Sequence, residues 1–183
     1  LLAALVPLFS GGLLSSWVRP GDEVSALADT LRGLPVGARV LLSFDYDPAY
    51  AGELDPLAMA VTRQLVGRGV HLVAMSTRPG GVGLAERILA QATAGTPDYA
   101  YSQHYAILGY LPDQQAGLRL LTSDLQTAFP SDTVQQRALA DMPVTRDVTG
   151  VADFQHVLVF ADDSQTVRHW VEQVHSRTGA PLH

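Results

Sequence analysis

The sequence predicts a doubly wound α/β domain, a mostly parallel sheet of about four or five strands with helices on both faces. Short apolar runs alternate with longer segments whose apolar residues recur at helical spacing. Glycine, proline or aspartate marks nearly every junction between them. The chain has 183 residues, 47% hydrophobic and 16% charged, with no cysteine. That is long enough for one well-buried core, and it excludes intrinsic disorder, a disulfide framework and a cysteine-zinc site.

Each element has its own signal. Asp22 is placed to cap a first helix whose Val24, Leu27, Leu31 and Leu34 share one face until Pro35 to Gly37 end it. Val40 to Phe44 reads as a short buried strand. Asp55-Pro56 predicts a helix start, an N-cap followed by proline in the first turn, with Leu57, Ala58, Val61 and Leu65 facing inward. Gly67 and Gly69 close that helix, and Val70 to Met75 forms a second strand. After the glycines at 80, 81 and 83, Leu84, Ile88, Leu89 and Ala92 mark another helix. Tyr105 to Leu111 is the third strand, interrupted by Gly109. Asp113 is expected to cap a helix carrying Leu118, Leu121 and Leu125. Residues 130–155 read as irregular, with room for one short helix. His156 to Ala161 is the last clear strand. A helix follows with Val167, Trp170, Val171 and Val174 on one face and Gly179 at its end. Ala180-Pro181-Leu182 has the character of a further strand beginning.

Charge is unevenly spread. The first 18 residues carry none and 12 of them are apolar; Trp17 and Arg19 then resemble an interfacial boundary. Residues 1–19 are therefore expected to be the end of a membrane helix or an apolar arm, and residues 20–183 a single α/β domain. The charges that follow, Asp22 and Glu23, are acidic rather than the basic cluster usual on cytoplasmic flanks, which places the domain outside the cytoplasm. All 12 basic residues are arginine and the net charge is −6, a poor match to nucleic acid, whose phosphates need clustered cations.

In open α/β sheets ligands bind beyond the carboxyl ends of the strands, and three of these ends are polar here. The first ends in Asp45-Tyr46-Asp47, the second in Ser76-Thr77-Arg78 and the late one in Asp162-Asp163-Ser164. One chemical reading gives Asp45, Asp47, Asp162 and Asp163 a Mg²⁺ ion, with Asp45 as nucleophile and Asp47 as general acid or base. A second gives Ser76, Thr77, Arg78, Gly80 and Gly81 a phosphate, nucleotide or other small anion at a helix N-terminus. The simpler reading is that these residues cap helices and make turns: Asp163 or Ser164 suits the cap of the last helix, and Asp47-Pro48 is a turn signal. Asp45, Asp47, Glu53 and Asp55 also form a dense acidic turn, whose pKa values should shift if they face one another. Other chemistry has little support. The histidines form no HxxxH or HExxH pair, GxSxG is absent, and Pro79 to Gly83 lacks full GxGxxG spacing. The helical His169 and His175 are expected to face solvent. The loop with Tyr99, Tyr101, His104 and Tyr105 reads as a cover for the sheet edge, with a binding rim as the alternative.

The order LLSFDYD, LVAMST and VLVFADD resembles the haloacid dehalogenase-like phosphatases, an apolar strand ending in DxD, another in Ser/Thr and a late one in DD. That resemblance implies a Mg²⁺-dependent phosphohydrolase using Asp45 and Asp47. It also implies a lysine between the second and third elements. This chain has none, so Arg119 or Arg137 would have to substitute, and Pro48 follows the second aspartate where glycine or threonine is usual. A longer set of motifs, FDYDPAYAGELDP, STRPGG and LGYLPDQQAGLRLL, is similar to an uncharacterised family of bacterial membrane-anchored proteins. It implies a membrane helix before the domain and an outward-facing location, without an activity. The resulting expectation is a non-enzymatic ligand- or protein-binding module, with the phosphohydrolase and the anion site at residues 76–83 as alternatives.

Overall fold

The computed structural model describes residues 22–183, with side chains from residue 27 onward. The apolar segment 1–19 and the capping side chain of Asp22 therefore lie outside the described residues. Helix α1 (Asp22–Arg32) leads into β1 (Arg39–Asp45), and a 3₁₀ turn (Pro48–Tyr50) opens α2 (Ala51–Gly67). Strand β2 (His71–Ser76), helix α3 (Gly81–Thr93) and strand β3 (Tyr105–Tyr110) follow. Helices α4 (Gln114–Ser123) and α5 (Leu125–Ala128) precede two 3₁₀ turns, Leu139–Asp141 and Val151–Asp153. Strand β4 (His156–Ala161) then feeds α6 (Ser164–Trp170), a π turn (Val171–His175) and the one-turn α7 (Ser176–Thr178).

The sheet order is β3-β2-β1-β4 and every pairing is parallel. This is the doubly wound α/β architecture that the alternating pattern predicts. Leu182 makes an isolated parallel bridge to Val157, so residues 181–183 lie along the outer side of β4 without forming a full strand. β1 is central, and the winding reverses beside it, between β1 and β4.

Period-two alternation divides each strand between two cores. Val40, Leu42 and Phe44 of β1 pack with Leu65, Leu84 and Ile88 beneath α1, α2 and α3. Leu41, with Val73 and Met75 of β2, packs with Leu118, Leu121, Trp170 and Val174 on the opposite face. At Gly109 β3 departs from regular geometry: its φ is +117° and the register with β2 shifts there, a backbone state that favours glycine.

Four expectations are corrected. Asp55-Pro56 lies inside α2 rather than at its start; Asp47 caps the preceding turn by accepting the Ala49 amide at 2.8 Å. Pro56 is tolerated because it costs only one helical bond, to Gly52, which is exposed to water. On the last helix Trp170 and Val174 are buried, but Val167 and Val171 are 44% and 40% exposed. The π turn after Trp170 changes the helical period, so those four residues share no single face. His169 is buried between Gln114 Oε1 at 3.0 Å and Gln115 Nε2 at 3.3 Å instead of facing solvent. The helix expected through Leu125 is divided at Asp124, which caps α5 by accepting the Thr127 amide.

Candidate functional site

The carboxyl ends of β1, β2 and β4 bring together the polar residues that the sequence placed there. Alternation turns Asp45 toward the second core, where it is fully buried. Its Oδ1 accepts the Thr77 amide at 2.6 Å and faces Ser76 Oγ at 3.3 Å; its Oδ2 accepts the Trp170 indole N–H at 2.7 Å. Burial pushes the Asp45 carboxyl above the ordinary carboxylate range, against the Thr77 amide, the Trp170 indole and the Ser43 and Thr77 hydroxyls, which all favour its charged form. The Ser43 and Thr77 hydroxyl oxygens are themselves buried and make no hydrogen bond of ordinary geometry among the described residues.

Ser76 turns to the opposite face and closes the strand end. Its hydroxyl donates to Phe44 O at 2.7 Å and accepts the Arg78 amide at 2.9 Å. Gly81 seals the same place: a Cβ there would lie 2.0 Å from Phe44 O and 2.2 Å from Ser76 Oγ. Arg78 lies between the two late aspartates, 2.8 Å from Asp162 Oδ1 and also paired with Asp163. Asp162 Oδ2 accepts the Asp47 amide at 2.8 Å, tying the end of β4 to the turn after β1. Asp163 caps α6 by accepting the Thr166 amide and hydroxyl, both at 2.8 Å. Burial works against the charge of Asp163, but Thr166 and the Arg78 guanidinium bring it down to about 2.

This arrangement does not fit Mg²⁺. The ion needs carboxylate lone pairs, yet both Asp45 oxygens accept N–H donors and the Arg78 guanidinium holds the place between Asp162 and Asp163. Among the described residues no group of three or more His, Cys, Asp or Glu could hold a metal. Nor is an anion received easily, since Arg78 is neutralised by two carboxylates and Ser76 and Thr77 are buried. Asp47 keeps an exposed carboxylate, engaged through Oδ1 with the turn it caps.

The acidic turn separates rather than converging. Asp55 accepts the buried Tyr46 hydroxyl at 2.7 Å and pairs with Arg87, while Glu53 is exposed. The upward shift of Asp45 therefore comes from burial and not from its acidic neighbours. Arg137 donates to Ser102 Oγ at 3.0 Å and to Asp141 O at 2.8 Å, and it has no part in the rim. Trp170, which the sequence marks only as a core residue, is the rim's buried donor; nothing local could reveal a partner 125 residues away.

The tyrosine loop covers the sheet edge as expected. Tyr99 donates to Val70 O and stacks on both His104 and Tyr105, while Ser102 donates its amide to Tyr105 O at 2.8 Å. The covering is completed by residues the sequence did not single out. Thr133 donates its amide to Ile107 O at 3.0 Å. The buried Asp132 accepts the amides of Val134, Gln135 and Arg137 together with the Tyr101 hydroxyl. Against the cost of burial, the Gln135 amide, the Tyr101 hydroxyl and the other two amides hold its carboxyl below the usual range. No family model, curated protein or solved structure matches this chain.

Proposed function

We propose that this domain is a binding module with no catalytic centre at its strand ends, held at the outer face of a bacterial membrane by the apolar segment preceding it. The observation that carries the non-catalytic reading is the closure of Asp45. The carboxylate that a phosphatase would use as nucleophile is fully buried, with both oxygens hydrogen-bonded. A nucleophile must reach its substrate, and here Trp170 and Thr77 stand in the way. The rim's other charges cancel locally through Arg78, so their role is to fasten β1, β2 and α6 to one another. The 18 uncharged residues at the start support the membrane part of the proposal. Among the described residues no helix is long and apolar enough to cross a membrane, so the anchor rests on that segment alone.

Turnover of p-nitrophenyl phosphate with and without Mg²⁺ tests the first part. Wild type and Asp45→Asn should give the same background. Mg²⁺-dependent turnover that disappears in Asp45→Asn would overturn it. The membrane part is tested on the full gene product: it should sediment with membranes, and protease added outside intact spheroplasts should remove the domain.

A further inference from the structure

We propose that the cleft between α3 and the segment around Val134 is a binding site for a small organic cation. The inference rests on reading the domain as a binding module and names a ligand class for it. The cleft has a volume of about 440 Å³, within the range of small-molecule sites. Tyr101 and Tyr105 form one wall, their rings meeting edge to face at 84° with centroids 5.0 Å apart. Ile107, Thr133 and Val134 continue the lining, and Glu86 of α3 supplies the only charge among the described lining residues.

Two features select a cation. Glu86 makes no hydrogen bond or ion pair among the described residues, although Arg87 beside it is committed to Asp55. Among the described residues no arginine or histidine lines the cleft to repel a positive ligand; the nearby Arg137 is engaged with Ser102 and Asp141. The rings add the second attraction, because a cation over an aromatic face gains from its quadrupole. Tyr101 donates its hydroxyl to the Asp132 carboxylate at 2.6 Å, which enriches the ring in electron density.

The walls are also fixed in advance. The Tyr101 oxygen accepts the Ile107 amide at 3.3 Å, and the same Asp132 oxygen that holds Tyr101 accepts the Val134 amide at 2.9 Å. One buried carboxylate thus sets both sides of the cleft, so little ordering entropy opposes binding. An ammonium with an apolar body would place its charge by Glu86 and the rings, and its carbon surface on Ile107 and Val134.

The probe is choline, followed by NMR of the Ile107 and Val134 methyl groups, with the uncharged isostere 3,3-dimethylbutan-1-ol as control. Choline should shift those signals saturably, and the isostere should bind several-fold more weakly. Glu86→Gln, an exposed substitution with no partner to lose, should reduce choline affinity and leave the isostere unchanged. Tyr105→Leu should weaken choline by about 5- to 30-fold. If that variant does not fold, Glu86→Gln carries the comparison. Equal binding of choline and its isostere, or no saturable shift at these methyls, would overturn the cleft assignment alone. Turnover at Asp45 would instead overturn the binding-module reading.

Discussion

Trp170 donates its one indole N–H to a carboxyl that no water reaches, and the pair joins the last helix to the central strand. Phenylalanine at 170 would keep most of the ring and lose the donor. Asp45 Oδ2 would then be left without its partner in the interior, where an unmade hydrogen bond costs about 1–3 kcal/mol and the lost ring volume adds to it. Trp170→Phe should therefore lower the unfolding free energy by about 2–4 kcal/mol in urea titrations. Packing alone would produce part of this loss, so the double variant with Asp45→Asn is needed. If the indole–carboxyl bond carries the effect, the two losses are non-additive by about 1 kcal/mol or more. Strict additivity would mean that the indole contributes volume only.

Helix α3 begins against the strand ends without room for a side chain. Gly81→Ala would drive a Cβ into Phe44 O, a backbone atom that cannot rotate away, and into the hydroxyl of Ser76. The helix must shift or the Ser76 bonds must break, so a loss of about 1–3 kcal/mol is expected in thermal or chemical unfolding. Gly83→Ala, two residues on, meets nothing within 4 Å and should be neutral or slightly stabilising, which makes it the matched control. The elements were legible because periodicity and breakers agree along most of the chain; α3, with Leu84, Ile88 and Leu89 buried, is an example. α2 was misplaced because the chain carries Asp-Pro twice. The earlier copy takes the cap, since Asp47 is held by Asp162, while the later Asp55 is claimed by Tyr46 and Arg87. The π turn was invisible for a related reason, as tertiary packing of Trp170 sets the period there. At the rim, strand ends located Asp45, Ser76 and Asp162 correctly. Whether they were open or closed depended on Trp170 and Arg78, and long-range partners leave no local signature.

At the scale of the whole molecule, two histidines at one end of the sheet and Asp45 at the other act in opposite directions. His71 and His156 start β2 and β4, and burial lowers both pKa values, helped by His104 and Arg39 for the first and by His183 for the second. Their neutral forms suit the fold, so what they contribute is present above the ordinary histidine range and is lost as pH falls below it. Asp45 works the other way. Its folded pKa is raised, so its contribution is complete below the ordinary carboxylate pKa of 3.8 and is lost as pH rises through the folded value. Total stability mixes these slopes, but the difference between wild type and Asp45→Asn cancels the histidines and isolates the carboxyl. That difference should move steadily in favour of Asp45→Asn as pH rises above 3.8, then level off. The pH at which it levels is the folded pKa of Asp45, read from urea unfolding at a series of pH values. A difference that stays flat throughout would mean that Asp45 titrates as an ordinary carboxyl. Water would then reach the strand ends, and the closed rim on which the non-catalytic reading depends would have to be abandoned.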